Sequence, residues 1–242
     1  MIASRVTLVT GGARRVGAAI VRSFAARGDS VVIHYGTSAD EAESFAASLR
    51  TQGTNVHLVQ ADLTDAAAPE HIVSEAMRAF GKLDVVVSSA SVMSRHAFDA
   101  VTPDEWDVVE RVNLRAPFFL MQAAARVMTD GGVIVQMSDH LAFETIFPDL
   151  IPHQVTKSAL TQLVRTVAAK LAPRIRVNAV APGLVMAPEG LSGEKLQRFL
   201  NDVPLARSGS TDDVVQAIHY LVEATYVTGI TLPVDGGRHL RR

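Results

Sequence analysis

Short, continuously apolar runs alternate with longer amphipathic segments along this chain. The runs have strand length and are rich in valine and isoleucine, and they predict β-strands at residues 6–9, 30–35, 55–60, 84–89, 132–138, 174–180 and 229–234. Apolar residues at helical spacing predict helices at residues 16–27, 39–50, 69–79, 103–128, 153–171 and 211–223. Because the strands do not alternate between apolar and polar residues, both of their faces must be buried. The pattern therefore predicts an α/β fold, a doubly wound seven-stranded parallel sheet with helices on both faces.

Composition narrows the class of protein. The chain has 242 residues, of which 48% are hydrophobic and 20% charged, and neither a linker nor a repeat divides it, so we expect residues 1–242 to form one domain. A net charge of -2 gives no reason to expect nucleic acid or an anionic membrane as a partner, and the basic end at 238–242 is expected to be solvated or to lie in an interface. The absence of cysteine excludes disulfides and thiolate chemistry. With no signal peptide at the start and no run of membrane-spanning length, the sequence indicates a cytoplasmic protein.

A glycine-containing turn, TGGARRVGAAI at residues 10–20, follows the first predicted strand and opens the first predicted helix. In a Rossmann fold this turn binds the phosphates of a dinucleotide, because the N-terminus of the helix offers free N–H groups and a positive dipole. Glycines permit the tight turn and the close approach of the helix to the strand. The predicted cofactor-binding residues of the turn are Gly11, Arg14, Arg15, Val16 and Gly17.

The end of the second predicted strand distinguishes between the two nicotinamide cofactors. An NAD site of this kind usually carries an acidic residue there for the ribose hydroxyls. Here the strand ends without one, and the first acid is Asp40. Hydroxyl side chains at this end and the arginine pair of the turn suit the 2′-phosphate of NADP, so we predict NADP(H) as the cofactor. The predicted contacts from this end are His34, Tyr35, Thr37 and Ser38. The alternative is that the two arginines are solvated on a surface loop.

Further motifs extend the pattern over nearly the whole chain. They are ADL at 61–63, SSAS at 88–91, Asn113 in the fourth predicted helix, HQVTK at 153–157 and RVNAVAPG at 176–183. Together with TGGARRVG, they make the chain similar to the short-chain dehydrogenase/reductase superfamily. The arginine pair, the HY that ends the second strand, Asp139 and the ending VDGGRHLR resemble its pteridine reductase and dihydromonapterin reductase branch. The resemblance implies an NADPH-dependent reductase of a pteridine-like ring.

The resemblance also implies roles for individual residues. Asp62 and Leu63 correspond to the residues that hold the adenine. The floor beneath the cofactor and substrate corresponds to Ser89, Ala90 and Ser91. The nicotinamide is flanked by Pro182 and Gly183, with Leu184 among the cofactor contacts, and Lys157 grips its ribose.

Two positions depart from the superfamily pattern. The catalytic tyrosine lies four residues before the lysine, where this chain has His153, and Asp139 stands where most members have a serine. Lys157 would disfavour an imidazolium at His153, whereas an ionised Asp139 would favour it. Two mechanisms therefore remain open: His153 is a general acid poised by Asp139, or Asp139 supplies the proton through water and His153 only orients it. Asn113 is expected to hold a water or a backbone bend in the relay, and Lys157 completes the predicted catalytic group.

The substrate is less well defined than the cofactor. Pterin reductases of this branch usually carry an aromatic residue two positions beyond the last serine of the SSAS segment, and this chain has Met93 there. Methionine can pack on a flat ring, but it also fills irregular pockets. An unrelated small carbonyl compound is therefore the alternative substrate, and a catalytically silent NADP-binding protein is a third hypothesis because the tyrosine is absent. The predicted substrate contacts are Arg15, Ser91, Met93, Asp139 and His153.

Three further expectations concern metal, assembly and a lid. The histidines show no recognised ligand spacing, so no metal site is predicted, and His140 is expected to point away from Asp139 as neighbours in a strand do. The apolar surface of the fourth helix and of the helix at 153–171 predicts a homotetramer, with a homodimer as the alternative. The segment 186–205, with a short amphipathic helix at 194–200, is predicted to be a mobile lid over the substrate.

Overall fold

The structure, a computed structural model, describes residues 4–144, 147–186 and 192–240. These residues contain a parallel seven-stranded sheet with the order β3-β2-β1-β4-β5-β6-β7. The strands are β1 (Val6–Thr10), β2 (Ser30–Tyr35), β3 (Val56–Gln60), β4 (Val85–Ser88), β5 (Gly132–Met137), β6 (Ile175–Pro182) and β7 (Thr231–Val234). Because the order of the strands reverses between β1 and β4, a crevice opens at the carboxyl ends of these two strands, which is where open α/β sheets bind ligands.

Helices cover both faces of the sheet. One face packs against α1 (Arg15–Ala25), α2 (Ala39–Arg50) and α8 (Thr211–Glu223). The other face packs against α3 (Ala68–Phe80), α5 (Ala116–Val127) and α6 (Ile151–Leu171). Two shorter helices, α4 (Pro103–Glu110) and α7 (Gly193–Asn201), precede α5 and α8 in the chain. The predicted fold class is confirmed, and the strand and helix bounds differ from the predicted ones by a few residues.

Each face of the sheet has its own hydrophobic core. Leu8 and Val32 point into the core that contains α3, α5 and α6, while Val9 and Ile33, one residue further along each strand, point into the core that contains α1 and α8. All four side chains are fully buried. Successive side chains of a strand point to opposite faces, so a strand covered on both sides must be apolar at every position. This explains the unbroken apolar runs of the sequence.

The fourth predicted helix, 103–128, is divided in two by a π-helical turn at Arg111–Arg115. The N–H of Ala116 donates to the carbonyl of Arg111, five residues back, instead of four. Pro117 stands four residues after Asn113 and has no N–H, so it cannot donate the α-helical hydrogen bond to the Asn113 carbonyl. The wider turn places Asn113, whose side chain is buried, at the end of the sheet where the crevice opens.

The helix α6 begins two residues earlier than predicted, with Pro152 in its first turn. Proline is well tolerated there because the first N–H groups of a helix have no intrahelical partner. His153 and Lys157 lie one turn apart on the same face, and both are buried. The pair predicted from the sequence therefore points into the protein beneath the crevice. No helix of the described residues is long and apolar enough to cross a membrane.

Candidate active site

The turn after β1 forms one wall of a cavity of about 850 Å³. A Cβ atom at Gly17 would lie 2.0 Å from the carbonyl oxygen of Gly11, and a Cβ atom at Gly11 would lie 2.9 Å from the Cα atom of Ala90. Gly11 also has a φ of 62°, which favours glycine. Because no side chain fits at either position, the backbone at the start of α1 is open to the close approach of a phosphate.

Most of the residues predicted to bind the cofactor line this cavity. They are Gly11, Arg14, Arg15, Val16, Gly17, His34, Tyr35, Thr37, Ser38, Asp62, Leu63, Ser89, Ala90 and Ser91. Also in the wall, and not predicted, are Ala13, Gly36, Gln60, Ala61, Val92 and Val112. Most of these six side chains are small or apolar and none has a chemical signature of its own. Their position directly after strands that end at the crevice is the signal that could have identified most of them.

His34 lies beneath the phosphate turn, the glycine-containing turn that follows β1, and hydrogen-bonds to it. Its Nδ1 accepts a hydrogen bond from the N–H of Gly11 at 3.2 Å, so its Nε2 is the atom that carries the hydrogen and donates to the carbonyl of Ala61 at 3.1 Å. Burial lowers the pKa of His34 to about 4, opposed by the Ala61 bond and assisted by the charge of His71. The neutral ring therefore connects β2 to the phosphate turn and to the residue after β3.

The two arginines of the turn point to different places. Arg14 pairs with Glu41 of α2 at 3.4 Å, next to the hydroxyl residues that follow β2. Arg15 donates to the carbonyl of Met186 at 3.4 Å, on the far side of the turn. Arg15 has a φ of 51°, a left-handed conformation that only glycine adopts without strain.

Asn113 connects the loop after β4 to α6. Its Oδ1 accepts from the N–H of Val92 at 2.9 Å and from the hydroxyl of Ser91 at 3.0 Å. Its Nδ2 donates to the carbonyl of Val92 at 2.8 Å and lies 3.4 Å from the Nδ1 of His153 and from the hydroxyl of Thr156. The carboxamide therefore uses both of its ends to fix the wall of the crevice.

Asp139 and His153 form a hydrogen-bonded pair. The Nε2 of His153 lies 3.2 Å from Oδ2 of Asp139, and its Nδ1 lies 3.2 Å from the carbonyl of Val92. Burial acts to raise the pKa of Asp139, but the hydrogen bond from His153, the charges of His140 and His153 and the N–H of Leu141 outweigh burial, so the pKa lies below its usual value. The Nε2 of His153 thus faces a carboxylate, while its Nδ1 faces both the Val92 carbonyl and the Nδ2 donor of Asn113.

Lys157 lies beneath this pair. Its Nζ donates to the carbonyl of Met137 at 2.7 Å, at the end of β5. Burial lowers the pKa of Lys157 to about 8, against the opposing charge of Asp139. Asn113, His153 and Lys157 are not among the described residues that line either of the two large cavities, so their side chains lie behind the wall.

A second cavity, of about 700 Å³, adjoins the first. Arg15 and Val16 line both cavities, so the two meet at the start of α1. Of the other predicted site residues, this second cavity is lined by Met93, Asp139, Pro182, Gly183 and Leu184. Also in its wall, and not predicted as site residues, are Arg95, His140, Leu141, Phe147, Leu150, Val185, Met186, Arg198, Phe199, Asp202 and Arg238. The predicted substrate contact Ser91 lies instead in the first cavity.

Two aromatic side chains line the second cavity, but they are not equivalent. The guanidinium groups of Arg95 and Arg238 lie 5.7 Å and 5.8 Å from the ring centre of Phe147. The ring of Phe147 therefore has two cations near it. The guanidinium group of Arg238 lies over the ring of Phe199 on α7, 4.0 Å from its centre. Phe199 thus has one guanidinium group over its ring where Phe147 has two.

His140 and Arg238 correct two of the expectations from sequence. A short 3₁₀ turn at His140–Ala142, which starts directly after Asp139, brings Nε2 of His140 to 3.7 Å from Oδ1 of Asp139 instead of turning it away. Arg238, expected on a solvated or interface end, is only 3% exposed. Its Nε lies 3.4 Å from Glu144, whose other oxygen lies 2.8 Å from Nδ1 of His140. Ion pairing and the ring of Phe199 compensate for the burial of the guanidinium group.

Part of the segment 186–205, which the sequence predicts to be a lid, borders the second cavity. Arg198 and Phe199 of α7, together with Asp202, line the second cavity, and Arg238 donates to the carbonyl of Phe199 at 3.2 Å. Residues 187–191 of the segment lie outside the described residues. The mobility of the segment stays a prediction. Nowhere in the described ranges do three or more potential metal-ligating side chains come together.

Comparisons with known proteins agree with this geometry. A family model described as Enoyl-(Acyl carrier protein) reductase matches residues 11–239. Versicolorin reductase 1 from Aspergillus parasiticus is 35% identical over 250 aligned residues, covering 96% of this chain and 95% of that protein. The solved structure of a short-chain dehydrogenase/reductase from Serratia marcescens is 36% identical, covers 97% of this chain and 98% of that one, and superposes with a TM-score of 0.92.

This chain belongs to the short-chain dehydrogenase/reductase family. Family membership confirms the predicted class of enzyme, an oxidoreductase of the short-chain type. A further solved member, FolM alternative dihydrofolate reductase 1 from Brucella canis, was determined as a complex with NADP. It is 33% identical, covers 100% of this chain and 97% of that one, and has a TM-score of 0.91.

The role of His34 leads to a prediction about stability. Its pKa is about 4 in the folded protein and 6.5 in the unfolded chain, so between these values the unfolded chain binds a proton that the folded protein does not. Stability is therefore lost as the pH falls. Urea unfolding should show that the parent protein loses about 2 kcal/mol more than His34→Gln between pH 7 and pH 4.5. An identical pH dependence in the two proteins would contradict the prediction.

Proposed function

We propose that this chain is an NADPH-dependent reductase that transfers a hydride to a small substrate, most specifically a pteridine-like ring. The observation that carries the proposal is the junction of the two cavities at Arg15 and Val16. A dinucleotide that lies along the first cavity from the residues after β2 ends at this junction, next to the cavity that contains the Asp139 carboxylate. The cofactor and the proton source then meet the substrate from two sides.

NADP(H) fits the first cavity. The steric limit at Gly17 and the open N-terminus of α1 suit a pyrophosphate, and Thr37, Ser38 and Arg14 surround the place where a 2′-phosphate would lie. That the solved FolM relative holds NADP supports the same cofactor here. The bound cofactor supplies the hydride. Asp62 and Leu63 would hold the adenine, Pro182 and Gly183 would flank the nicotinamide, and Lys157 would hold the ribose.

Arg14 is the residue we assign to the 2′-phosphate, because Arg15 points toward Met186 and the second cavity. Removing a charged contact to a phosphate costs a few kcal/mol. Arg14→Ala should therefore weaken NADPH binding by about 30-fold or more and change NADH binding little. Fluorescence titration with both cofactors measures this, with Arg15→Ala as the matched control. Equal losses for NADPH and NADH would contradict the assignment to the 2′-phosphate, and no loss for either would mean that the arginine is solvated.

The proton reaches the substrate from Asp139. The Asp139 side chain is 26% exposed and lines the second cavity, whereas the His153 side chain is 4% exposed and lies behind Asp139. Asp139 can therefore touch a substrate, and His153 can return a proton to Asp139 through their 3.2 Å hydrogen bond. As the hydride adds to the carbon of a C=N or C=O bond, Asp139 passes the proton of the pair to the nitrogen or oxygen. Of the two donors that the sequence left open, this geometry favours Asp139, with His153 passing a proton to it instead of only orienting it.

Substitutions of the two residues should therefore differ in effect. Asp139→Asn should lower kcat/KM by about 100-fold or more, the usual range for loss of a general acid. His153→Gln should lose less, because water can still protonate the Asp139 carboxylate, whose side chain is 26% exposed. Steady-state kinetics of the two variants measures this difference, and NADPH binding by each variant is the control for an intact cofactor site. A larger loss in His153→Gln than in Asp139→Asn would place the donor on the histidine.

Pteridine is the preferred substrate class for two reasons. The second cavity offers the ring of Phe199 and the side chain of Met93 as apolar surfaces, and the Asp139 carboxylate lines the same cavity. The Brucella canis relative is called a dihydrofolate reductase, and dihydrofolate contains a pteridine ring. An unrelated carbonyl substrate stays the second candidate, since versicolorin reductase 1 is a relative of similar identity.

The experiment that tests the proposal follows NADPH oxidation with a dihydropterin and with a panel of small ketones and quinones. Phe199→Leu should lower kcat/KM for the dihydropterin by about tenfold through the loss of ring stacking. Phe143→Leu is the matched control, because Phe143 is exposed and is not part of the described cavity wall. Turnover of ketones alone would support the carbonyl alternative. NADPH binding without turnover of any substrate would support the silent protein.

We further propose that the chain assembles as a homotetramer, with a homodimer as the alternative. Trp106, Val108, Phe118 and Phe119 of α4 and α5, and Val155 of α6, are large apolar side chains that are more than a third exposed. A symmetric contact between these helices in two copies would remove them from water. Light scattering at micromolar concentration distinguishes the assemblies from a monomer.

A further inference from the structure

We propose that His140, held by Glu144, is a positioning residue that controls how readily the Asp139–His153 pair releases its proton. The inference rests on the proposed role of Asp139 as the proton donor. No sequence motif pointed to His140, and it becomes relevant only because the turn after Asp139 directs its ring toward the carboxylate.

The ring of His140 lies between two carboxylates. Its Nδ1 is 2.8 Å from Oε1 of Glu144, and its Nε2 is 3.7 Å from Oδ1 of Asp139. The side chains of His140 and Glu144 are 8% and 6% exposed, so water screens these contacts little. A neutral imidazole can direct an N–H at one of the two carboxylates, but an imidazolium directs an N–H at each. When it is protonated, the ring of His140 is thus placed to direct one N–H at each carboxylate.

The groups around His140 form a row of alternating charge. Beyond Glu144 lies Arg238, which also lies 3.9 Å from Asp202, and beyond Asp139 lies His153 of α6. Lys157, also on α6, acts on Asp139 from beneath the pair. The ring of Phe199 from α7 meets the His140 ring edge to face at 6.3 Å and supplies no charge. Glu144 is shared between Arg238 and His140, and Asp139 is shared between His140 and His153.

This sharing weakens the hold of Asp139 on the proton of His153. A cation at His140 neutralises part of the charge of Asp139 and repels a second cation at His153. Across the single carboxylate that separates the two rings, one unit charge in a partly screened interior shifts a neighbouring titration by about one pH unit or slightly more. His140 would therefore make the proton easier to deliver to the substrate, which compensates for the absence of the family tyrosine.

The test compares His140→Gln and His140→Asn with the parent protein. Both variants remove the cation and keep a side-chain N–H for a neighbouring carboxylate, so one can replace the other if either fails to fold. In the parent, kcat/KM for the reduction should fall as the pH rises. Without the cation the pair holds its proton more strongly, and the fall should move to higher pH by about one unit while the KM for NADPH stays within twofold.

His57→Gln is the matched control, because His57 forms a 3.1 Å pair with Glu75 on β3 and α3, away from both cavities. It should leave the profile in place. NMR titration of the His153 ring, assigned by its loss in His153→Gln, follows the same shift without any turnover, so the inference stays testable if no substrate is reduced. An unchanged His153 midpoint in both His140 variants, or an equal shift in His57→Gln, would overturn the proposal.

Discussion

The carboxamide of Asn113 is the contact on which the candidate active site depends. The carboxamide accepts a hydrogen bond from the backbone N–H of Val92 and donates one to the backbone carbonyl of Val92. The same carbonyl also faces the ring of His153. The side chain reaches this place because Pro117 forbids the regular α-helical bond and the helix widens into a π turn. One local constraint in the helix thus fixes both the loop after β4 and the orientation of the histidine that replaces the family tyrosine.

Buried charge is the second constraint, and it explains why the site contains so many partners. An isolated ion in the interior of a protein is very costly, whereas a paired and hydrogen-bonded ion is tolerated. Asp139 faces two histidines and a backbone N–H, and Lys157 donates to a carbonyl at the end of β5. A tyrosine needs no counter-charge until it ionises. With histidine at position 153, the nearby Asp139 carboxylate is hydrogen-bonded to the ring, and we propose that the two act as one proton-carrying unit.

The start of α1 joins cofactor binding to substrate binding. Glycine at 11 and 17 brings the turn close to the loop after β4, and Arg15, held in a left-handed conformation, reaches the wall of the second cavity. His34 supports the turn from beneath by an N–H···N bond that needs a neutral ring. The geometry of the reaction site is therefore coupled to the turn that would hold the phosphates.

The sequence by itself determined the elements and their order, because unbroken apolar runs and helical spacing are local signals of a parallel sheet covered on both faces. It also determined the glycine turn and the buried pair at His153 and Lys157, since both depend on fixed spacing within one element. Only the tertiary structure decided that Arg238 is buried against Phe199, that His140 faces Asp139, and that His34 bonds to Gly11. These contacts join residues whose meeting depends on how separate elements pack or on the course of an irregular turn, and no periodicity in the chain encodes either.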